Sequence, residues 1–265
     1  MDQQMLSDLC EQVGKAATDA AAFIRSQVGK VSSAEIETKE RNSLVSYVDK
    51  QAENILVEAL KPLIPNAGFI TEEDTVDNSR QEYTWVVDPL DGTTNFLKQI
   101  PVFSVSVGLA HNGEFLLGYI VDIMHDDHYY AWKDGGAWVN GNSIHVSKTE
   151  KLSEGIIGTG FPYHDPEKLN VLAEMFQEVL IASRGVRRLG SAALDLAYVA
   201  SGKLDAFYET TLNAWDIAAG VILVREAGGT VTDFDNGGEF VHIKELIASN
   251  SHLHNVLGEI VRKHR

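Results

Sequence analysis

The chain has 265 residues, and 38 Asp plus Glu against 22 Lys plus Arg leave a formal charge of −16. That surplus excludes a binder of duplex nucleic acid, which needs a basic surface to displace counterions from phosphates, and an anionic membrane would repel the chain as well. A single cysteine, Cys10, permits no internal disulfide and gives no support for a thiolate metal site, which fits a reducing compartment.

The stretch 1–12 carries acids where a signal peptide needs a basic patch and then an apolar run. The apolar stretches 115–123 and 217–224 fall short of the roughly 20 residues of a membrane-spanning helix. The expectation is a cytoplasmic protein. Leu6, Leu9, Cys10, Val13, Ala16, Ala17, Ala20 and Ile24 recur at three- and four-residue steps and predict an amphipathic helix ending near Gly29. The polar segment 31–43 reads as a loop or irregular hairpin with Lys39, Glu40 and Arg41 at its turn. Val48, Ala52, Ile55, Leu56, Ala59 and Leu60 predict a second helix, stopped by Pro62 and Pro65.

From Thr84 the pattern changes to short apolar runs punctuated by Asn112-Gly113, Asp134-Gly135-Gly136 and Asn140-Gly141-Asn142, which predicts a meander with strands at 103–110, 114–124, 128–133 and 137–146. Beyond Pro166 helices and strands alternate: helix 167–181, strand 185–188, helix 192–200, strand 204–208, and a helix over 215–227 that stops at Gly228-Gly229. Strands at 230–234 and 247–249 and a final helix through Leu253, Val256, Leu257, Ile260 and Val261 complete the chain. No repeat or polar linker marks a boundary. The expectation is one layered α/β unit over 1–265, built from approximate halves 1–150 and 151–265.

Three places put carboxylates where packing alone would not choose them. In Trp85-Val86-Val87-Asp88-Pro89-Leu90-Asp91-Gly92-Thr93-Thr94, an apolar strand delivers two acids to its C-terminal end, the usual location of sites in α/β folds. The turn after them opens a short helix, whose first amides at Gly92, Thr93 and Thr94 could hold a phosphate. By itself this Asp-x-x-Asp reads equally well as a helix-capping turn. In Phe69-Ile70-Thr71-Glu72-Glu73-Asp74, three acids follow an apolar pair; in isolation they read as a solvated loop, although crowded acids raise one another's pKa unless a cation sits between them. Asp216 opens an apolar helix, where it also complements the helix dipole.

Combined, Glu72, Asp88, Asp91 and Asp216, with the Leu90 carbonyl and the Thr93 hydroxyl, supply the oxygen-only donor set that suits hard cations such as Mg²⁺. Across nearly its whole length the chain also resembles the inositol monophosphatase family of Mg²⁺-dependent, lithium-sensitive phosphomonoesterases. The resemblance rests on Glu72-Glu73 behind Phe69-Ile70, on Asp88-Pro89-Leu90-Asp91-Gly92-Thr93-Thr94-Asn95-Phe96, and on Trp215-Asp216-Ile217-Ala218-Ala219-Gly220 with Glu226-Ala227-Gly228-Gly229 behind it.

The resemblance implies the five-layered αβαβα sandwich of the inositol monophosphatase and fructose bisphosphatase type. It implies two or three Mg²⁺ ions, one on Glu72, Asp88 and the Leu90 carbonyl, another on Asp88, Asp91 and Asp216, and a looser third touching Glu72. Catalysis would involve Glu72, Thr93 and Asp91, with Glu72 and Thr93 orienting the attacking water and no phospho-enzyme forming. Substrate contacts map to Asp91, Gly92, Thr93, Thr94, Gly190, Ser191, Ala192, Glu209 and Asp216. A carboxylate at Glu209 can accept from vicinal hydroxyls; the residue alone also reads as a strand-end acid in water. The implied reaction is hydrolysis of inositol monophosphate to myo-inositol and phosphate, with no nucleic-acid or membrane partner, by a homodimer. Fructose bisphosphate, histidinol phosphate, NADP and adenosine bisphosphate remain open as substrates. A non-catalytic binding protein on the same fold predicts a lost metal ligand, and none is lost.

Two features qualify the match. Where the family commonly reads Asp-x-Val-Thr, this chain has Ser43-Leu44-Val45-Ser46, so the first acid is missing, and Lys39 aligns with the family's mobile-loop lysine only across a gap. Thr94-Asn95 stand where related nucleotide phosphatases carry lysine and glutamate, which favours a polyol phosphate. Arg184, Arg187 and Arg188 read as a charge group at a strand edge or interface, and His125 and His128 as a surface turn.

Overall fold

The computed structural model describes residues 1–32, 35–40, 43–161 and 166–264. Helix α1 (Gln3–Gln27) starts where the Asp2 carboxylate accepts from the Met5 amide at 2.8 Å, and it buries the predicted stripe from Leu6 to Ile24. The polar segment after it forms a hairpin of β1 (Ile36–Glu40) and β2 (Ser43–Ser46). Lys39 falls in β1; its side chain and Arg41 lie outside the described residues. Helix α2 (Tyr47–Leu60) opens on a capping box, the Asp49 carboxylate accepting from the Ser46 amide at 2.8 Å.

Seven strands follow in spatial order: β3 (Gly68–Thr71), β4 (Tyr83–Asp91), β5 (Ser104–His111), β6 (Glu114–Asp122), β7 (Asp127–Trp132), β8 (Ala137–Val139) and β9 (Asn142–Ile144). β3 and β4 are parallel and every later pairing is antiparallel. The single strand expected over 137–146 is two strands, because Asn140 and Gly141, at φ 49° and 79°, turn the chain back on itself. The short helix α3 (Thr93–Leu97) leaves the end of β4.

The second half contributes β10 (Ile156–Thr159), α4 (Pro166–Ala182), β11 (Gly185–Arg187), α5 (Ala192–Ala200), β12 (Ala206–Thr210) and α6 (Ala214–Glu226). β13 (Thr230–Thr232), α7 (Phe240–Ile243), β14 (Glu245–Ser249) and α8 (His254–Lys263) complete it. Its five-stranded sheet runs β11-β10-β12-β14-β13, with β10 parallel to both neighbours and β14 antiparallel to both of its own. Strand β10 escapes the sequence pattern because its two isoleucines stand among Gly155, Gly158 and Gly160, which look like loop.

The layers are α1 and α2, the seven-stranded sheet, α5 and α6, the five-stranded sheet, then α4 and α8: a five-layered αβαβα sandwich. Apolar clusters fill the spaces between layers, Val13, Leu56, Trp85 and Leu117 under α1 and α2, Ile120, Leu196 and Phe207 around α5 and α6, and Met175, Tyr208 and Leu257 under α4 and α8. One contact matters for the site. Gly108 and Gly118 stand directly opposite each other on β5 and β6, and α6 lies across them. A Cβ on Gly108 would stand 2.7 Å from the Ala218 Cβ, and one on Gly118 2.7 Å from the Ala219 Cα and against its carbonyl. The absent side chains let the start of α6 approach the acidic end of β4.

Candidate active site

Three elements aim acids at one place. β4 ends in Asp88 and Asp91. Because Thr71 pairs with Val87 in the parallel register, Glu72 emerges beside Asp88. Asp216 sits in the first turn of α6, where its carboxylate accepts from the Asn213 amide at 2.6 Å. The Asp88 side chain is 1% exposed and folds back to accept from the Leu90 amide at 3.0 Å. Asp91 reaches across to the second half, accepting from the Ser191 hydroxyl at 2.6 Å and the Ala193 amide at 2.7 Å, and so caps the start of α5. Asn95 reinforces that crossing through donations to the carbonyls of Leu189 (2.9 Å) and Val102 (2.7 Å).

Burial, followed by the charges of Glu72, Asp91 and Asp216, pushes Asp88 well above the usual carboxylate range. Burial and then Asp91 push Asp216 up to about 8, against the Asn213 amide. Burial also raises Asp91, opposed by the hydrogen bonds from Ser191, Ala193 and Ala192 and by the Arg188 charge. Among the described residues no three acid, imidazole or thiol groups already stand as a ligating cluster. The reason is visible in the hydrogen bonds: Asp88, Asp91 and Asp216 are each turned onto a protein donor. The donors are all oxygens and the groups repel one another, which is the chemistry of a site for a hard divalent cation.

Next to the acids, the Thr93 hydroxyl donates to Asp49 Oδ1 at 2.9 Å and also lies 3.1 Å from the Leu90 carbonyl. Asp49 is 1% exposed and its other oxygen is held by the Ser46 amide and hydroxyl, both at 2.8 Å. The sequence reading noted the missing acid at 43 and gave Asp49, further along the same stretch, no role. The capping pattern Ser46-x-x-Asp49 is the signal that could have found it. A second overlooked acid, the buried Glu53 one turn further along α2, accepts from the amides of Glu73 and Thr75 at 2.8 Å each and from the Thr75 hydroxyl at 2.7 Å. It pins the loop that carries Glu72.

Beyond Asp91 and Asp216 opens a cavity of about 160 Å³, lined also by Arg188, Gly190, Ser191, Ala192, Asp195 and Glu209. Gly190, Ser191, Ala192 and Glu209 thus line one cavity, as grouped by the sequence reading. That reading misplaced Arg188, which turns into the cavity just past β11 and whose charge is felt by Asp91, Asp195 and Glu209. Burial raises Glu209 to about 8, against Arg188. The Ser191 hydroxyl is committed to Asp91 and to capping Leu194 (3.3 Å), so it ties the two halves together at the cavity wall. Gly92, at φ 95°, makes the left-handed turn into α3 where Thr93 and Thr94 follow. Two larger clefts, of about 580 and 510 Å³, hold none of these acids.

A model of the inositol monophosphatase family matches residues 5–265. The chain belongs to that family. It is 40% identical over 259 residues to an inositol-1-monophosphatase of Mesorhizobium japonicum, covering 97% of each chain. It is 35% identical over 255 residues to a protein of Pseudomonas aeruginosa named Nus factor SuhB, covering 94% of each. In structure it resembles the extragenic suppressor protein suhB of Bartonella henselae, with a TM-score of 0.91 at 37% identity over 96% of this chain and 98% of that one. The family makes the chain a phosphatase of small phosphate esters. No helix among the described residues is long and apolar enough to cross a membrane.

Proposed function

We propose that this phosphatase hydrolyses inositol monophosphate, or a closely similar small polyol phosphate, with Mg²⁺ bound by Glu72, Asp88, the Leu90 carbonyl, Asp91 and Asp216. The observation that carries the reading is the convergence of these acids beside the Thr93–Asp49 hydrogen bond at the mouth of a small polar cavity. Bound there, Mg²⁺ supplies charge neutralisation and a water of lowered pKa.

The chain's own residues do the rest. Asp49 holds the Thr93 hydroxyl as a donor, leaving its lone pairs to orient a water together with Glu72. Gly92, Thr93 and Thr94 offer backbone amides to the phosphate, and Gly190 and Ala192 border it from the second half. Glu209 faces the leaving group, where it accepts hydrogen bonds from hydroxyls. Release of inorganic phosphate from myo-inositol 1-phosphate should require Mg²⁺ and vanish in Asp91→Asn with the fold intact. Turnover in the presence of a chelator would refute the mechanism.

The relatives named Nus factor SuhB support a second, non-catalytic role for the same fold. On this chain the two roles would be separable: Asp91→Asn should abolish turnover and leave the outer surfaces unchanged.

A further inference from the structure

One buried acid in the cavity has no part in the hydrolysis as described. Asp195, on α5, is 2% exposed, and its Oδ1 is enclosed with no hydrogen-bond partner. Its recess is made by a glycine. A Cβ on Gly158 of β10 would stand 2.8 Å from Asp195 Oδ1, and Gly160, two residues further along the chain, leaves the space that the Glu209 carboxyl occupies. Positions i and i+2 of an extended chain share a face, so these recesses lie roughly 7 Å apart. Both carboxyls line the cavity of about 160 Å³, and Arg188 faces both.

A carboxyl buried without a donor disfavours folding, and its edge on the cavity, away from the Oδ1 sealed against Gly158, is where a ligand can supply one. We infer that Asp195 is a specificity-determining residue: with Glu209 it forms a two-carboxyl wall that binds the hydroxyls of a small neutral leaving group. This rests on the phosphatase reading above and narrows its substrate class. A polyol offers hydroxyls that can both donate to and accept from the two carboxyls. Burial, then Glu209 and Asp91, raises Asp195 well above the usual carboxylate range, so its protonated form can also donate to a hydroxyl oxygen. The cavity is small beside the roughly 300–1,000 Å³ of sites for larger ligands, in keeping with one small ring.

The test compares kcat/KM for inositol 1-phosphate, fructose 1,6-bisphosphate and 4-nitrophenyl phosphate at saturating Mg²⁺ in the wild type, Asp195→Asn and Asp195→Ala. Wild-type enzyme without activity on any of them would sink the phosphatase reading itself. With activity present, both variants should lower the ratio of inositol phosphate to aryl phosphate about tenfold or more, chiefly through KM. Because the lost carboxyl has an unpartnered oxygen, Tm should hold or rise. An unchanged ratio overturns the inference, and so does a fall in Tm with all three substrates losing equally, which is the signature of a structural carboxylate.

Discussion

Asp49→Asn isolates the Thr93 hydroxyl from every other feature of the site. In the wild type one Asp49 oxygen accepts from the Ser46 amide and hydroxyl and the other accepts from Thr93. An asparagine keeps the shape and must place its NH₂ on one of these two sides. Facing Ser46, the NH₂ would meet a backbone donor, so the amide oxygen stays there and the NH₂ turns to Thr93. The Asp49–Thr93 hydrogen bond then reverses: Thr93 becomes the acceptor from residue 49 and sends its own proton to the Leu90 carbonyl, already 3.1 Å away. One of its two lone pairs is then taken, and the hydroxyl loses the carboxylate that made it a stronger acceptor of a proton from water.

Loss of a positioned proton acceptor of this kind costs about 10²- to 10⁴-fold in rate, which corresponds to roughly 3–5 kcal/mol of transition-state stabilisation. The fold should lose only about 1–3 kcal/mol, because one charge-assisted hydrogen bond is weakened while the shape of the capping box survives. Steady-state phosphate release should therefore show kcat down by at least two orders of magnitude, with KM and the Mg²⁺ activation constant within a few-fold of wild type. Thr93→Ser should keep most of the activity and Thr93→Val should match Asp49→Asn. A folded Asp49→Asn enzyme with kcat within threefold of wild type would refute the proposed role of the pair.

Without Mg²⁺, Asp216 and Glu209 titrate near pH 8 in the folded protein and near 4 in the unfolded chain, so between those values the folded state holds more protons and stability falls as pH rises. Tm of the metal-free protein should drop from pH 5.5 to 8.5, and added Mg²⁺ should raise it more at the higher pH; a flat profile would contradict this. Glu53→Gln frees the loop behind Glu72, and calorimetry should show weaker Mg²⁺ binding by several-fold without unfolding; unchanged affinity would remove Glu53 from the site. Gly118→Ala drives a methyl into the Ala219 backbone, at an overpacking cost of about 1–3 kcal/mol, and moves the start of α6 away from β4. Its Tm and its Mg²⁺ affinity should fall together; loss of one alone would break the proposed link between the glycine pair and Asp216.

The parts of the site that were legible are those written in one short run of chain. Asp88 to Thr94 pass from strand to turn to helix within seven residues, and Asp216 opens a helix whose apolar face announces itself. The capping pattern marks Asp49 as an acid at a helix start, but its role was illegible because its partner Thr93 is 44 residues away and the intervening β3 and β4 must first pair to bring α2 alongside. Arg188 was read as one of three arginines at a sheet edge. β11 is indeed an edge strand, but it ends at Arg187, and the next residue turns inward. Asp195 hid inside an apolar helix, where a lone acid in the first turn has an ordinary explanation in the helix dipole. Only its missing hydrogen bond, a property of the packed structure, distinguishes it.

The −16 charge first excluded polyanionic partners, yet the proposed substrate is itself an anion. The geometry resolves the conflict locally. Arg188 is the basic side chain whose charge bears on Asp91, Asp195 and Glu209, and one guanidinium does not reverse the sign of that wall. Two Mg²⁺ ions on Glu72, Asp88, Asp91 and Asp216 would bring +4 against −4, and the backbone amides at the turn into α3 then tip the balance towards phosphate. The acids left over, Asp195 and Glu209, face the opposite end of the substrate, where burial favours their protonated forms and their carboxyls exchange hydrogen bonds with the hydroxyls of a polyol. The same surplus of acid thus acts in two ways within one cavity. Near β4 it calls for a cation, and past α5 it reads the uncharged half of the ester.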